Sequence, residues 1–280
     1  MKRAGIIGWP VTHSLSPVLH GHWLKQYGIA GSYEKIPAAP EDFAATIARL
    51  QGEGYAGVNV TAPHKEAAFA LAGQNDDAAE LAGAANLLVL APDAIEGHNT
   101  DFIGLMESLR ENIGGLEGKS AVLLGAGGAA RGAVLALDML GADEIHILNR
   151  DAGRAVALAQ ALAPHLPETT LMPGPLSVWD DVAFDAALVV NSTSAGMGTN
   201  PPLDLDLSRL LPDAAVCDIV YHPLETKLLQ DAKARGLLAI DGLGMLMHQA
   251  VPSFEAFFGV QPEVTPALRA ALENEIRSRG

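Results

Sequence analysis

The chain has 280 residues, of which 49% are hydrophobic and 18% charged, so it can bury a sizeable core in one large domain or two ordinary ones, and wholesale disorder is excluded. Eighteen basic against 33 acidic residues leave a net charge of −15, which argues against a nucleic-acid partner, because a phosphate-backbone binder needs a dense basic face. The single cysteine, Cys217, allows no intrachain disulfide and no multi-cysteine zinc site, and fits a reducing compartment, expected to be the cytoplasm.

Residues Met1–Pro10 reach Gly8, Trp9 and Pro10 too soon for the apolar core of a signal peptide, and no apolar run of about 18 residues is present to span a membrane. Ala4–Gly8 reads instead as a strand. In the segment that follows, Ser16 is the expected N-cap of a helix with Pro17 in its first turn. The Ser14 and Ser16 hydroxyls with helix N–H groups would make a carboxylate site; plain capping is the competing reading of Ser16. His13 and His20 have no partners at metal-ligand spacing. They read as loop or helix-surface residues, and no metal is expected. Pro40-Glu41-Asp42 opens a helix with Phe43, Ile47 and Leu50 on one face.

Tyr55–Val60 is the next strand, and Asn59-Val60-Thr61-Ala62-Pro63-His64-Lys65 occupies its C-terminal end, where open α/β sheets bind ligands. Lys65 falls near a helix start, where an ammonium is electrostatically disfavoured; a functional lysine and a surface lysine are the two readings. Leu87–Asn99 reads as a hairpin about Pro92-Asp93. Asp101 then either caps the helix beginning DFIGLMESL or pairs with Lys65 to move a proton. A domain boundary is expected within residues 101–118.

The strand Ser120–Gly125 leads into Gly125-Ala126-Gly127-Gly128-Ala129-Ala130-Arg131-Gly132 and a helix, the context of a dinucleotide site. Ala130 stands at the third glycine position. The following strand, Glu144–Asn149, ends without the acidic residue that binds an NAD ribose; Asn149-Arg150 and Arg154 suit a 2′-phosphate, which favours NADP. Strands Ala186–Asn191 and Ala215–Val220 end in Asn191-Ser192-Thr193 and in Asp218-Ile219-Val220-Tyr221. Asp241-Gly242-Leu243-Gly244-Met245 precedes a helix bearing Gln249, and the rest of the chain is helical. Turn, cap or core roles remain open for each, and Met245 could touch a nicotinamide. Repeated strand–helix alternation indicates α/β architecture.

Taken together, GWPVTHSLSP, GVNVTAPHK, GAANLL, NTDFIGL, LLGAGGAARGA, NSTSAGM, DIVYHP and DGLGMLMHQA resemble the shikimate dehydrogenase family, in family order from residue 5 to about residue 255. The resemblance implies an N-terminal α/β substrate-binding domain (residues 1–101 and 245–280) and a Rossmann-type NADP domain (residues 102–244), with the C-terminal helices packing back on the first. It implies that Ser14 and Ser16 bind the shikimate carboxylate and that Asn59, Thr61, Asn86, Asp101, Tyr221 and Gln249 line the substrate pocket. Lys65 matches the family's acid/base lysine, with Asp101 as its partner. Asp77, Gly125, Ala126, Gly127, Gly128, Ala129, Asn149, Arg150, Arg154, Ile219 and Gly242 match cofactor positions, with Thr193 close by. Leu87 replaces the usual threonine, and Gly21 a frequent asparagine.

The expected activity is NADPH-dependent reduction of 3-dehydroshikimate to shikimate, in chorismate and aromatic amino acid biosynthesis, by a monomer or homodimer. A broader shikimate/quinate dehydrogenase is the alternative within the class. A silent ligand sensor would lack the Lys65/Asp101 pair or carry a DNA-binding appendage; this chain has the pair and no basic appendage.

Overall fold

A computed structural model describes residues 1–279, which divide into two compact units: Met1–Thr100 with the C-terminal residues from Met247, and Asp101–Leu246. The first unit contains β1 (Lys2–Gly8), α1 (Ser16–Gln26), β2 (Gly31–Pro37), α2 (Phe43–Gly52), β3 (Gly57–Val60), α3 (Lys65–Leu71), β4 (Gln74–Asn75), α4 (Asp77–Ala82), β5 (Leu87–Ala91) and β6 (Ala94–His98). Its sheet has the order β2-β1-β3-β5-β6-β4. The β1 strand pairs in parallel with β2 and β3, whereas the β5–β6 hairpin turns back antiparallel to β3. Under this sheet lies a core that includes Ile7, Phe43, Ile47, Leu50, Val58 and Leu88, so the apolar face expected of α2 is the face it buries.

The second unit contains α5 (Asp101–Ile113), β7 (Ser120–Leu124), α6 (Gly128–Met139), β8 (Glu144–Asn149), α7 (Ala152–Leu162), β9 (Thr170–Pro175), α8 (Trp179–Val182), β10 (Ala186–Asn191), β11 (Ala215–Asp218), α9 (Lys227–Ala234) and β12 (Leu238–Ile240). The sheet order is β12-β11-β10-β7-β8-β9, with every pairing parallel. Counted from β7, that is 3-2-1-4-5-6, the doubly wound order whose direction reverses between β7 and β10. Ala121–Leu124 and Leu188–Val190 are buried, as strands covered on both faces must be.

The chain ends in α10 (Leu243–Phe258) and α11 (Pro266–Arg279). In the first unit the Phe254 ring of α10 packs edge-on against Trp23 of α1, with centroids 5.3 Å apart. The Trp23 indole donates to the Glu263 carbonyl at 3.0 Å, just before α11. Among the described residues, no helix is long and apolar enough to cross a membrane.

Two readings of the sequence are corrected. Ser16 is the first residue of α1 and not its cap; Leu15 holds that position without a side-chain bond, and Ser14 Oγ accepts the Ser16 N–H at 3.2 Å. His20 is not on the surface: it is 1% exposed and stacks flat on Tyr33 at 3.9 Å. Four strands have no counterpart in the apolar pattern: β2, β4, β9 and β12. All four are sheet edges, with partly exposed residues and, in β2 and β9, prolines.

Candidate functional site

In the first unit, the segments after β1 and β3 are tied side by side at the C-terminal ends of parallel strands. The Trp9 N–H donates to the Ala62 carbonyl at 3.1 Å and the Thr61 N–H to the Ile7 carbonyl at 2.9 Å. The Trp9–Pro10 and Ala62–Pro63 bonds within these segments are both cis. Thr61 accepts the His64 N–H at 3.0 Å, which closes the turn before α3. His64 is buried: its Nε2 lies 2.9 Å from the Ala38 carbonyl and its ring stacks on Phe43. Lys65 is therefore presented from a rigid helix start, and its carbonyl accepts the Ala85 N–H at 2.9 Å.

Asn86 is held from several directions. Its backbone accepts from Val60 N–H and donates to the His98 carbonyl. Its Oδ1 accepts the Thr100 N–H at 2.8 Å, and its Nδ2 donates to Thr100 Oγ1 at 3.1 Å and points to Gln249 Oε1 at 3.5 Å. Thr100 Oγ1 in turn donates to the Gln249 carbonyl at 2.9 Å. Ser14, Ser16, Asn59, Thr61, Lys65, Asn86 and Gln249 thus all belong to the first unit. Leu87 is buried at the start of β5, and Thr100 orders the neighbouring Asn86 amide. A Cβ at Gly21, within α1, would meet nothing within 4 Å, so no close packing demands glycine there.

Asp77 is the first residue of α4, beside the cap Asp76, whose Oδ1 accepts Ala79 N–H at 2.7 Å. Asp76 Oδ2 also meets His98 Nδ1 at 3.2 Å. Burial opposes the Asp76 charge, but hydrogen bonds from His98, Ala79 and Asn99 hold its pKa below the ordinary value. The same contact with Asp76 raises that of His98 against a smaller opposing effect of burial.

The second unit carries a cleft of about 580 Å³ where its strand order reverses. Leu124–Gly127, Asn149, Arg150, Arg154 and Ser192–Ala195 line it. Gly125 has φ +113°, and a Cβ there would lie 2.8 Å from both Ser192 Oγ and Thr193 Cγ2. Gly127 and Gly128 face open space, leaving the start of α6 accessible to an anion; Ala129 lies within its first turn. Arg150 and Arg154 flank the start of α7, and among the described residues neither guanidinium pairs with a carboxylate. Asp151 is committed as the cap of α7, accepting Gly153 N–H at 2.9 Å, while Asn149 Nδ2 donates to the Asp151 carbonyl. A nucleotide carrying a phosphate on its ribose fits this lining.

Asn191 and Asp218, which sequence reading left without a role, are buried behind the Ser192–Ala195 wall of the cleft. Asn191 Oδ1 accepts both the N–H and the hydroxyl of Thr193, at 3.0 and 2.7 Å, and Asn191 Nδ2 donates to Asp218 Oδ1 at 3.0 Å. Asp218 also accepts from Val220 N–H and Thr226 Oγ1. Burial raises the Asp218 pKa despite these bonds. Gly242 abuts this wall: a Cβ would fall 2.1 Å from the Ile219 carbonyl oxygen. Tyr221 follows the wall, Met245 lies in the first turn of α10, and Asp101 is the first residue of α5, nearly buried. Among the described residues, no three His, Cys, Asp or Glu side chains are grouped to hold a metal.

Residues 6–88 match the family model described as the shikimate dehydrogenase substrate binding domain, and residues 107–196 the model described as shikimate / quinate 5-dehydrogenase. The chain is 50% identical over 275 residues to a shikimate dehydrogenase (NADP(+)) of Acidiphilium cryptum, covering 98% of this chain and 97% of that one. This chain belongs to the shikimate dehydrogenase family. Its fold matches a shikimate dehydrogenase crystallised with NADP+ at TM-score 0.89, 33% identity and coverage of 99% and 96% of the two chains. It also matches the Thermus thermophilus family member in complex with NADP(H) and shikimate at TM-score 0.85, 33% identity and 99% of each chain.

Tyr33 and Ser253 bond to Asn59, and Lys35 and Arg279 to the loop that carries Ser14; sequence reading missed all four. Lys35 Nζ donates to the Thr12 carbonyl, and an Arg279 guanidinium N–H donates to the His13 carbonyl at 2.9 Å. Both cations thereby brace the loop that carries Ser14. No motif marks them, because each acts through backbone from a distant element.

Proposed function

We propose that the chain is an NADP-dependent shikimate dehydrogenase, reversibly reducing the ketone of 3-dehydroshikimate to the alcohol of shikimate. The observation that carries this is the hydrogen-bonded set in the first unit. Ser14, Ser16, Asn59, Asn86 and Thr100 offer several hydroxyls and amides in a buried setting, matched to a carboxylated, polyhydroxylated ring. A ligand lacking matching hydroxyls would forgo bonds to the lone pairs and donors these groups have left over, each worth about 0.5–1.5 kcal/mol.

Ser14 and Ser16 hold the carboxylate; Asn59, Thr61, Asn86, Tyr221 and Gln249 hold the ring. Lys65, as an ammonium, gives its proton to the carbonyl oxygen as negative charge develops there, and as an amine takes it back in the reverse direction. Asp101 orients the Lys65 ammonium and accepts from a substrate hydroxyl. When bound, NADPH supplies the hydride. The N–H groups of Gly125–Ala129 would receive its pyrophosphate, and Arg150 and Arg154 its 2′-phosphate, with Asn149, Thr193, Ile219, Gly242 and Met245 along the rest of the nucleotide; Asp77 matches a further cofactor position of the family. We place the reaction in the cytoplasm, where the single, buried Cys217 suits a reducing compartment.

The test is the purified protein with 3-dehydroshikimate and NADPH, then with shikimate or quinate and either oxidised cofactor. Shikimate with NADP+ should be the best oxidising pair. Absence of NADPH consumption would reject the enzyme reading in favour of a sensor; faster quinate oxidation would favour the broader dehydrogenase.

A further inference from the structure

A line of polar side chains crosses the first unit from the serine loop to the C-terminal helices. Ser14 Oγ donates to Ser16 Oγ at 3.2 Å. The Tyr33 hydroxyl donates to Asn59 Oδ1 at 2.8 Å, with the Ser16 side chain as a further polar neighbour. Asn59 Nδ2 donates to Ser253 Oγ at 2.7 Å and to the Asn86 carbonyl at 3.3 Å. The members come from α1, β2, β3 and α10, and Ser16, Asn59 and Ser253 are buried.

Proton counting gives this line one direction. A tyrosine hydroxyl has a single proton. Tyr33 spends it on Asn59. Burial pushes the Tyr33 phenol well above its ordinary 10.0, the neighbouring Ser16 side chain opposing only in part, so the proton stays in place. At Asn59 the Asn86 carbonyl can only accept, which fixes the amide with Nδ2 on that side. Both Nδ2 protons are then used within the protein. What Asn59 retains for a ligand is the second lone pair of Oδ1. The Tyr33 ring is held by its face-to-face stack on His20, at 3.9 Å and 5°. Burial lowers the His20 pKa to about 3, so the stack carries no charge.

We propose that Tyr33 is a positioning residue for the substrate: its hydroxyl holds Asn59 as an acceptor that selects a ring hydroxyl. An oxo group at the same ring position would face Asn59 Oδ1 acceptor to acceptor and be rejected. This rests on the reading of the site as one for shikimate. Asn59 couples its partners, because its Nδ2 donors are polarised by the bond that its Oδ1 accepts from Tyr33. Tyr33 is reached from an edge strand that carries no family motif, and Ser253 from the helix beyond Gln249.

The experiment is shikimate oxidation by the wild type, Tyr33→Phe, Ser253→Ala and the double variant, with KM for shikimate, KM for NADP+ and kcat determined separately. Tyr33→Phe keeps the ring and its stack. Losing one hydrogen bond to the amide should raise the shikimate KM about threefold to tenfold, with kcat within about twofold and the NADP+ KM unchanged. Ser253→Ala should raise the same constant, and the double variant should cost less than the product of the single effects, because both act through the Asn59 amide. An unchanged shikimate KM in Tyr33→Phe, in a wild type that oxidises shikimate, overturns the positioning role alone. So does a fall in kcat with the NADP+ KM rising in step, which is the mark of general loosening. A wild type that neither oxidises nor binds shikimate overturns the functional reading, and the positioning role with it.

Discussion

In the first unit the residues that face the proposed substrate are side chains already bonded to one another: Asn86 to Thr100, Thr100 to Gln249, Tyr33 to Asn59. In the second unit the cleft at the reversal of strand order is lined by a glycine-rich turn, an open helix start and two arginines without carboxylate partners among the described residues. The difference follows the ligands. A small polyol is distinguished by where its hydroxyls lie, which demands directional groups held in register. A dinucleotide is large and anionic, and backbone N–H groups with a helix dipole suffice to bind its pyrophosphate. One site should therefore be sensitive to loss of single side-chain atoms, the other to added bulk or lost charge.

The largest expected effect lies on the substrate side. Lys65→Ala should lower kcat by about a hundredfold to ten-thousandfold, the usual range for a general acid, with much less change in shikimate affinity. Steady-state NADPH consumption and calorimetric binding separate the two, and an unaltered kcat would remove Lys65 from the chemistry.

On the nucleotide side, the sharpest break is an added side chain. Gly125→Val places a branched Cβ at φ +113° against Ser192 and Thr193. Strain of about 1–3 kcal/mol should appear as a lower melting temperature, together with weakened NADPH binding. Shikimate binding measured without nucleotide should be nearly unaffected. Equal loss of both ligands would show that the two sites do not fail separately.

Charge comes next. Arg150→Ala combined with Arg154→Ala should weaken NADP+ by at least about tenfold and NAD+ little, since a charge-assisted contact to phosphate contributes about 1.5–3 kcal/mol. Parallel weakening of both cofactors would exclude a 2′-phosphate contact.

The smallest effect is on stability and pH. The raised His98 pKa means its pairing with Asp76 contributes fully below the ordinary 6.5 and fades as pH climbs through the raised value. The lowered Asp76 pKa contributes above 3.8 and is lost as pH falls through the lowered value. The pair is thus strongest between those two ordinary values. For a half-exposed pair the effect is under about 1 kcal/mol. Melting temperatures of wild type and His98→Gln should differ at about pH 5.5 and converge by about pH 8.5. A constant difference across that range would assign the contact no ionic part.

The eight strands legible in the sequence are the interior ones, and the four that escaped are β2, β4, β9 and β12, the edges. An interior strand covered on both faces leaves an apolar run, as Ala121–Leu124 does, whereas β6, only partly buried, was legible from the Pro92-Asp93 turn before it. An edge strand is partly solvated, and its polar or proline-bearing residues look like loop; β9, with Pro173 and Pro175, carries almost no signal. Tyr33 was missed for the same reason, since it lies on β2.

His20 and Ser16 fail differently. A histidine with no partner at metal-ligand spacing reads as a surface residue, and a serine before proline as a cap. His20 gave way to packing, because α1 turns its ring inward onto Tyr33, and Ser16 proved to be the buried first residue of α1. Local pattern is a statement about neighbours along the chain, and these contacts are made with residues far along it.

What the sequence determined by itself is the part written in contiguous residues: the alternation of strands and helices, the Gly125–Gly128 turn, the absence of an acid at Asn149-Arg150, and the order of motifs that marks the family. The tertiary structure decided which groups share a bond. It joined Asn191 to Asp218, Tyr33 to Asn59, and Lys35 and Arg279 to the serine loop. The reason is that hydrogen bonds act over about 3 Å in space and are blind to separation along the chain. The polarity of a network becomes readable only when every donor and acceptor has been brought within that reach.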